Sequence, residues 1–208
     1  MEGKTFLGID LSKHNRVNNW LKVSKDVDFC ILRAGGNFNG YYKDPKFEAY
    51  YMNCKKFGIP VGAYYDTGMA FYGSITGSTY AAHFLKLIEG KTFEMPVYID
   101  IEVVPKSYKN LCTDAAISFC KAMEDAGYFV GIYGSDINTF AEMLDIKRIK
   151  NFSLWVARYN ARPKYVTSYQ MWQYTSKGTV NGIQGYVDRD ETHLNYPIIM
   201  KGAHKNGY

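Results

Sequence analysis

Met95-Pro96-Val97-Tyr98-Ile99-Asp100-Ile101-Glu102 is the stretch on which the reading of this chain turns. An apolar run of this length, closed by charges, reads as a strand buried in a parallel sheet. Successive side chains of a strand point to opposite faces, so Asp100 and Glu102 share one. Two carboxylates at the end of a buried strand are costly unless something pairs or uses them. In parallel α/β folds active sites lie at the C-terminal ends of the strands, and paired acids there suit acid/base chemistry on a glycosidic bond. A metal site or a salt-bridged core pair would use the same two residues, and Asp-x-Glu alone does not choose among the three.

On both sides of this strand, short apolar runs alternate with amphipathic stretches. Strands are predicted at Phe6–Leu11, Phe29–Ala34, Pro60–Tyr65, Phe129–Tyr133, Leu154–Tyr159, Met171–Tyr174 and around Val187. A helix is predicted over Asp44–Phe57, with Asp44 as N-cap, Pro45 in the first turn and Gly58 as the stop. Others are predicted over Ser78–Ile88, closed by Gly90, over Thr113–Ala126 with Thr113 as N-cap and Gly127 as stop, and over Asp136–Leu144. Gly73–Thr79 reads as a flexible turn ahead of its helix. Eight strands, with helices between the first five or six, argue for the α/β class and a parallel sheet closed into a barrel. The 208 residues fall short of the ~250 usual for an eightfold barrel, so some helices are missing. No internal repeat, low-complexity stretch or linker divides the chain. Residues 1–208 read as a single domain, with the polar tail 201–208 expected to fray.

In such a barrel the strand ends share a rim. It collects Asp10, Tyr64, Tyr65, Asp66, Asp100, Glu102, Tyr133, Arg158, Tyr159, Gln173, Tyr174 and Asp188. Acids this crowded cannot all ionise easily, so at least one pKa should rise. A carboxylic acid so raised can protonate a leaving oxygen near neutral pH, while its ionised neighbours stabilise positive charge on a sugar ring. Glu102 has the longer reach and lies nearer the strand's end, which makes it the expected proton donor. Asp100, one step deeper, suits orienting or electrostatic work.

Composition is compatible with a sugar-binding groove. Aromatic residues make up 16% of the chain, with 19 Tyr, 12 Phe and 3 Trp; a Tyr-rich core accounts for such numbers as well as a groove does. The formal net charge of +5 has no block of like charges behind it, so nucleic-acid binding is a weak option and an anionic cell wall fits equally well. Cys30, Cys54, Cys112 and Cys120 form no Cys-x-x-Cys pair, which argues against a zinc ribbon and for four free thiols. The four histidines lack ligand-like spacing, so no metal is expected. Glu89-Gly90-Lys91-Thr92 contains a GKT triplet, but Leu85 stands where a phosphate-binding loop needs Gly. No apolar run approaches a membrane span, and Met1-Glu2-Gly3-Lys4 leads straight into a strand, so neither membrane insertion nor a signal peptide is expected.

Several segments, in order, resemble the glycoside hydrolase family 25 lysozymes, the Chalaropsis-type muramidases. Gly8-Ile9-Asp10-Leu11-Ser12-Lys13-His14 is similar to that family's opening GIDVSxHQ. Phe29–Gly35, Asp44-Pro45-Lys46-Phe47 and Gly58–Tyr64 are similar to its second strand, following helix and third strand. Pro96–Glu102 resembles its catalytic strand, Leu154–Tyr159 its LWIARY, and Trp172-Gln173-Tyr174 with Gly185-Tyr186-Val187-Asp188 its closing WQY…GxVD. The resemblance implies a flattened, irregular TIM-like (β/α) barrel of about five βα units plus three further strands. It implies cleavage, with retention, of the β-1,4 bond between N-acetylmuramic acid and N-acetylglucosamine in bacterial peptidoglycan, without a cofactor. Glu102 would be the general acid and then the base. Asp100 would assist the substrate's acetamido group or stabilise an oxocarbenium-like state, with Asp10 and Asp188 as flanking acids. Tyr64, Tyr133, Trp155, Arg158 and Gln173 would contact the substrate, Arg158 doubling as an ion-pair partner for rim acids. Two stretches depart from the family's usual pattern: His14-Asn15-Arg16, where HQG is common, and Tyr65-Asp66-Thr67-Gly68, where a YHF- or YHY-type end is common. No cell-wall-binding module is recognisable. Without a signal peptide, a phage endolysin released by a holin-type pore is the favoured setting over an autolysin. A chitinase-like glycosidase is the alternative, but it needs an acid at position 98, which is Tyr. A non-catalytic wall-binding module is a further alternative, disfavoured because all four acids are present.

Overall fold

A computed structural model describes residues 4–208. In chain order its strands are β1 (Phe6–Leu11), β2 (Arg16–Val17), β3 (Phe29–Asn37), β4 (Tyr41–Lys43), β5 (Val61–Asp66), β6 (Val97–Asp100), β7 (Val130–Ser135), β8 (Ser153–Ala157), β9 (Met171–Gly178), β10 (Ile183–Gln184) and β11 (Val187–Thr192). Eight of them close into a barrel in the order β1, β3, β5, β6, β7, β8, β9, β11, with β11 pairing back onto β1. Strand β4 extends the sheet as a hairpin on β3, and β2 pairs with β10 outside the barrel.

The barrel is not parallel throughout. From β1 through β3, β5, β6, β7 and β8 to β9 each wall strand is parallel to the next, but β11 is antiparallel to both β9 and β1. The expectation of an all-parallel sheet is corrected at this strand. A hairpin-like return needs no crossover helix, which is how the barrel closes with fewer residues than a full eightfold repeat.

The helices are α1 (Trp20–Asp26), α2 (Phe47–Lys56), α3 (Ser74–Ile88), α4 (Lys109–Asp125), α5 (Ile146–Ile149) and α6 (Tyr196–Gly202). α1 has no counterpart among the predicted helices: it is capped by the Asn19 side chain and buries only Val23, too short and too polar to show a helical period. α3 begins at Ser74, so the stretch expected as a flexible turn is helical. Gly77 lies inside it because α4 crosses closely: a Cβ there would sit 2.1 Å from the Ala115 carbonyl oxygen. Thr113 is not an N-cap. It lies within α4, its hydroxyl donating to the Lys109 carbonyl and accepting from the Asp145 N–H. Asp136–Leu144 is a π-helical turn over Asn138–Met143 rather than an α-helix. Asp44 precedes α2 and accepts from the Lys46 N–H, the Lys13 N–H and Arg33 Nε, tying three segments together.

Strand alternation sorts the interior into two cores. One face of the wall (Ile9, Cys30, Leu32, Val61, Ala63, Val97, Ile99) packs under the helices against Phe84 and Phe119. The other (Phe29, Ile31, Tyr64, Tyr98, Tyr133, Trp155, Met171) fills the barrel, closed below by Tyr196 and Met200 of α6. All four cysteines are buried and free.

The C-terminal tail docks where the sequence predicts fraying. Asn206 is fully buried; its amide donates to the Met95 carbonyl at 2.9 Å and accepts from the Phe129 N–H at 2.7 Å. Tyr208 reaches Glu94 at 2.6 Å. A polar segment is no sign of disorder when its polar atoms complete backbone groups left open at strand starts.

Candidate active site

The inner face of the wall turns polar toward the C-terminal ends of the parallel strands. There a cavity of about 220 Å³ is lined by Asp10, Arg33, Tyr64, Asp66, Asp100, Glu102, Tyr133, Trp155, Tyr159, Gln173 and Asp188. Registers explain the gathering. Asp66 pairs with Asp100, and Asp100 with Tyr133, on adjacent parallel strands. Asp10 stands directly opposite Asp188 across the antiparallel β1–β11 pair. Asp188 reaches this rim because β11 runs backwards, so that its beginning lies where its neighbours end.

Asp100 and Glu102 face the same cavity, as their spacing predicts. The backbone between them is pinned: Thr67 donates N–H and hydroxyl to the Asp100 carbonyl, the Ile101 N–H continues the ladder to Tyr133, and Thr139 Oγ1 donates to the Ile101 carbonyl. Asp100 is half-buried, with Oδ1 lacking any hydrogen-bond partner among the described residues, while Glu102 stands exposed at the mouth. Burial holds Asp100 well above the usual carboxylate range, reinforced by Glu102, Asp66 and Asp10 and opposed by Arg33. Glu102 is also raised, by loss of solvent and then by Asp66 and Asp188, with the nearby Tyr133 hydroxyl acting the other way. Its exposure lets water screen those charges, consistent with the lesser rise.

Asp10 is buried and also held well up, by desolvation and by Asp190 and Asp188. Gln173 sits at the hub beside it. Its Nε2 donates to Asp10 Oδ2 at 2.7 Å, and its Oε1 accepts from the Tyr133 and Tyr159 hydroxyls, both at 2.9 Å. The two tyrosine donors fix the amide orientation, so Asp10 receives an N–H. Asp188 is raised mainly by burial.

Sequence comparison places this geometry in a family. The profile of glycosyl hydrolases family 25 matches residues 9–183, from the strand bearing Asp10 to β10, which pairs with β2. The chain belongs to glycosyl hydrolase family 25. It is 27% identical over 174 residues to an autolytic lysozyme of Clostridium acetobutylicum, covering 79% of this chain and 52% of that protein. It is 28% identical over 201 residues to lysozyme M1 of Streptomyces globisporus, covering 88% of this chain and 66% of that one. This family 25 chain thus spans about half to two thirds of the length of these relatives. Its fold matches the catalytic domain of endolysin ply40 from a Listeria monocytogenes bacteriophage with a TM-score of 0.75 at 25% identity, covering 96% of this chain and 98% of that one.

Of the residues expected at a family 25 site, Asp10, Tyr64, Asp100, Glu102, Tyr133, Trp155, Gln173 and Asp188 all line the cavity. Trp155 is only 1% exposed and donates its indole N–H to Asp190, so it forms floor rather than an open stacking platform. Arg158 does not line the cavity. Its guanidinium pairs at 2.5 Å with Asp136, which also accepts the N–H groups of Lys164, Tyr165 and Val166 and is held below the usual carboxylate range by these donors. Arg158 therefore braces the loop that carries Tyr159. Three cavity-lining polar groups have no predicted role, Arg33 and the two that the sequence places only on the rim, Asp66 and Tyr159; nor does the fully buried Asp190 beneath Asp188. Asp190 repeats the i, i+2 spacing of Asp100 and Glu102, and that alternation is the signal the sequence offers for it. Among the described residues no cluster of three or more His, Cys, Asp or Glu is arranged to hold a metal ion, and no helix is long and apolar enough to cross a membrane.

Proposed function

We propose that this chain is a peptidoglycan hydrolase of the lysozyme type, cleaving the β-1,4 bond between N-acetylmuramic acid and N-acetylglucosamine with retention of configuration. The observation that carries the reading is the pairing of an exposed Glu102 with a deeper Asp100 in one acid-lined cavity, both carboxyls held above the usual range. The names of its relatives support the substrate class. In this mechanism Glu102 protonates the leaving glycosidic oxygen and afterwards takes a proton from the attacking water. Asp100 holds the acetamido group of the sugar or stabilises the oxocarbenium-like charge. Asp10 and Asp188, facing each other across two strands, orient the sugar with Gln173, Tyr64 and Tyr133.

The test is turnover of purified peptidoglycan with identification of the new reducing ends. Muramic acid at those ends is the expected product. N-acetylglucosamine ends would point to a glucosaminidase or chitinase-like enzyme, and no cleavage to a wall-binding module. Glu102→Gln should lower kcat by at least about 10²-fold while leaving wall binding intact; full activity in that variant would show that Glu102 is not the general acid.

A further inference from the structure

The cavity holds one carboxylate whose surroundings differ from the rest. Asp66 ends β5 in register with Asp100, and each of its oxygens already accepts a hydrogen bond: Oδ2 from the Tyr42 hydroxyl at 2.8 Å, Oδ1 from the Gly68 N–H at 3.0 Å. Arg33 lies 3.9 Å away, its own Nε committed to the buried Asp44. The placement is tight. Strand β3 passes so close that a Cβ on Gly36 would sit 2.3 Å from the Asp66 carbonyl oxygen and 2.8 Å from its Cβ. Burial and the neighbouring Asp66 push the Tyr42 phenol up, so it remains a donor. Asp100 has the opposite surroundings, with one oxygen lacking a partner. Both Asp66 oxygens thus have donors, where Asp100 has an oxygen with none among the described residues.

We propose that Asp66 is a positioning residue of the reaction: a further carboxylate, held beside Asp100 by hydrogen bonds from Tyr42 and Gly68, that keeps the transferable proton on the Asp100–Glu102 pair. The proposal rests on the reading of Glu102 as the general acid. It follows from where the charges stand. The groups facing the Asp100–Glu102 pair are Asp10 from β1, Arg33 from β3, Tyr42 from β4, Tyr64 and Asp66 from β5, Tyr133 from β7, Tyr159 after β8, Gln173 from β9 and Asp188 from β11. Arg33 is the one cation among them, and Asp44 takes up its Nε. Of the anions, Asp66 is beside Asp100 on the adjoining strand and is first among the charges acting on Glu102. Through its bond from Tyr42, Asp66 couples the β4 hairpin to the acid cavity.

The experiment is the pH dependence of kcat/KM on purified peptidoglycan for wild type, Asp66→Asn, Asp66→Glu and Glu102→Gln, with thermal unfolding of each. Asn keeps the shape: its Oδ1 can accept from the Gly68 N–H while its Nδ2 donates to a Tyr42 hydroxyl that has turned, so Asp66→Asn should fold and remain active. Its alkaline limb should move to lower pH by about 0.5–1 unit, because a neighbouring negative charge has gone. Asp66→Glu keeps the charge and should hold the limb near the wild-type position, which a purely structural role does not predict. A limb that stays put or moves up in Asp66→Asn overturns the proposal. So does loss of activity at every pH in a folded Asp66→Asn, which would put Asp66 on the substrate itself. Asp66→Ser, neutral and smaller, is read the same way if the amide fails to fold. An active Glu102→Gln sinks the general-acid reading, whereas an inactive Glu102→Gln beside an unmoved limb sinks only the role of Asp66.

Discussion

Asn206→Ala should destabilise the protein heavily while leaving the chemistry untouched. The Asn206 side chain is the sole described side-chain partner of the Phe129 N–H and the Met95 carbonyl, which sit at the beginnings of β7 and β6. Truncation orphans both, at about 1–3 kcal/mol each for buried backbone groups. Asn206 also has φ of 58°, and Ala tolerates the left-handed region less well than Asn, adding about 1 kcal/mol. The sum is about 5 kcal/mol, with a ceiling: if the tail lets go, water reaches both groups and the loss cannot exceed the free energy of docking. At about 2–4 °C per kcal/mol for a chain of this size, the unfolding midpoint should fall by about 10–20 °C. Asn206→Gly, which removes the side chain but suits the backbone, should recover about 1 kcal/mol of that. Circular dichroism on heating measures both variants. Activity at 25 °C should be unchanged, because Asn206 closes the barrel end opposite the acid cavity. A shift below about 2 °C, less than one kcal/mol's worth, would refute the claim that the tail is an integral strut. Lost activity in a folded variant would refute the separation of the two ends.

Three further outcomes follow from the same structure. Gln173→Leu removes the only side-chain donor to Asp10 among the described residues and the shared acceptor of Tyr133 and Tyr159, so kcat/KM on peptidoglycan should fall about 10–100-fold with little change in fold, read by kinetics and near-ultraviolet circular dichroism. Asp190 is held well above the usual carboxylate range by burial, so the folded state keeps its proton after the unfolded chain has lost its own; the stability it contributes is intact below about pH 4 and lost as pH rises, and Asp190→Asn should stabilise the protein increasingly as pH rises above about 4, with a constant or shrinking gap in melting temperature refuting this. Asp136→Ala should release the 158–166 loop by orphaning three N–H groups and the Arg158 guanidinium, costing about 2–4 kcal/mol and exposing that loop to limited proteolysis, whereas Arg158→Ala, which leaves the three N–H bonds in place, should cost less.

Much of this site is legible from alternation alone. Asp100 and Glu102 are two apart on a strand, and the strand face follows without any tertiary knowledge. Asp10, Tyr64, Tyr133 and Gln173 then fall on the same rim because parallel strands end together. What the pattern does not carry is direction. Val187–Thr192 reads as a strand either way round, and only the pairing shows that it returns antiparallel. Arg158 illustrates a second limit. Its place at a strand end suggests the rim, but the partner that captures it, Asp136, lies 22 residues earlier on a neighbouring strand end and competes through geometry the sequence does not state. Short elements such as α1 and the β2–β10 ribbon are set by contacts across the chain, so their local sequence is nearly silent. The tail fails for the same reason: Asn206 is polar, and its burial depends on two backbone groups 77 and 111 residues away in sequence.

The reversed strand also explains how so small a barrel concentrates acid. A strand entering from the C-terminal rim begins where the others end, and its first inward side chains are Asp188 and then Asp190. Register puts Asp188 opposite Asp10 and Asp190 opposite both Gly8 and Gln173. One hairpin-like return therefore supplies two carboxylates, one at the rim and one beneath it, and removes a crossover helix. Both carboxylates are raised by burial, Asp190 the more strongly, and neither has a cation at hydrogen-bonding distance among the described residues, so their burial works against folding at neutral pH. The compensation lies elsewhere: in the apolar layer under α3 and α4, in the aromatic filling around Tyr98 and Trp155, and in the docked tail at the far end. Acids whose burial is unfavourable thus gather at one end of the barrel, while the docked tail ties down the other. Neutralising Asp10, Asp100 or Asp188, one at a time, should accordingly raise the melting temperature at pH 7 as it lowers turnover.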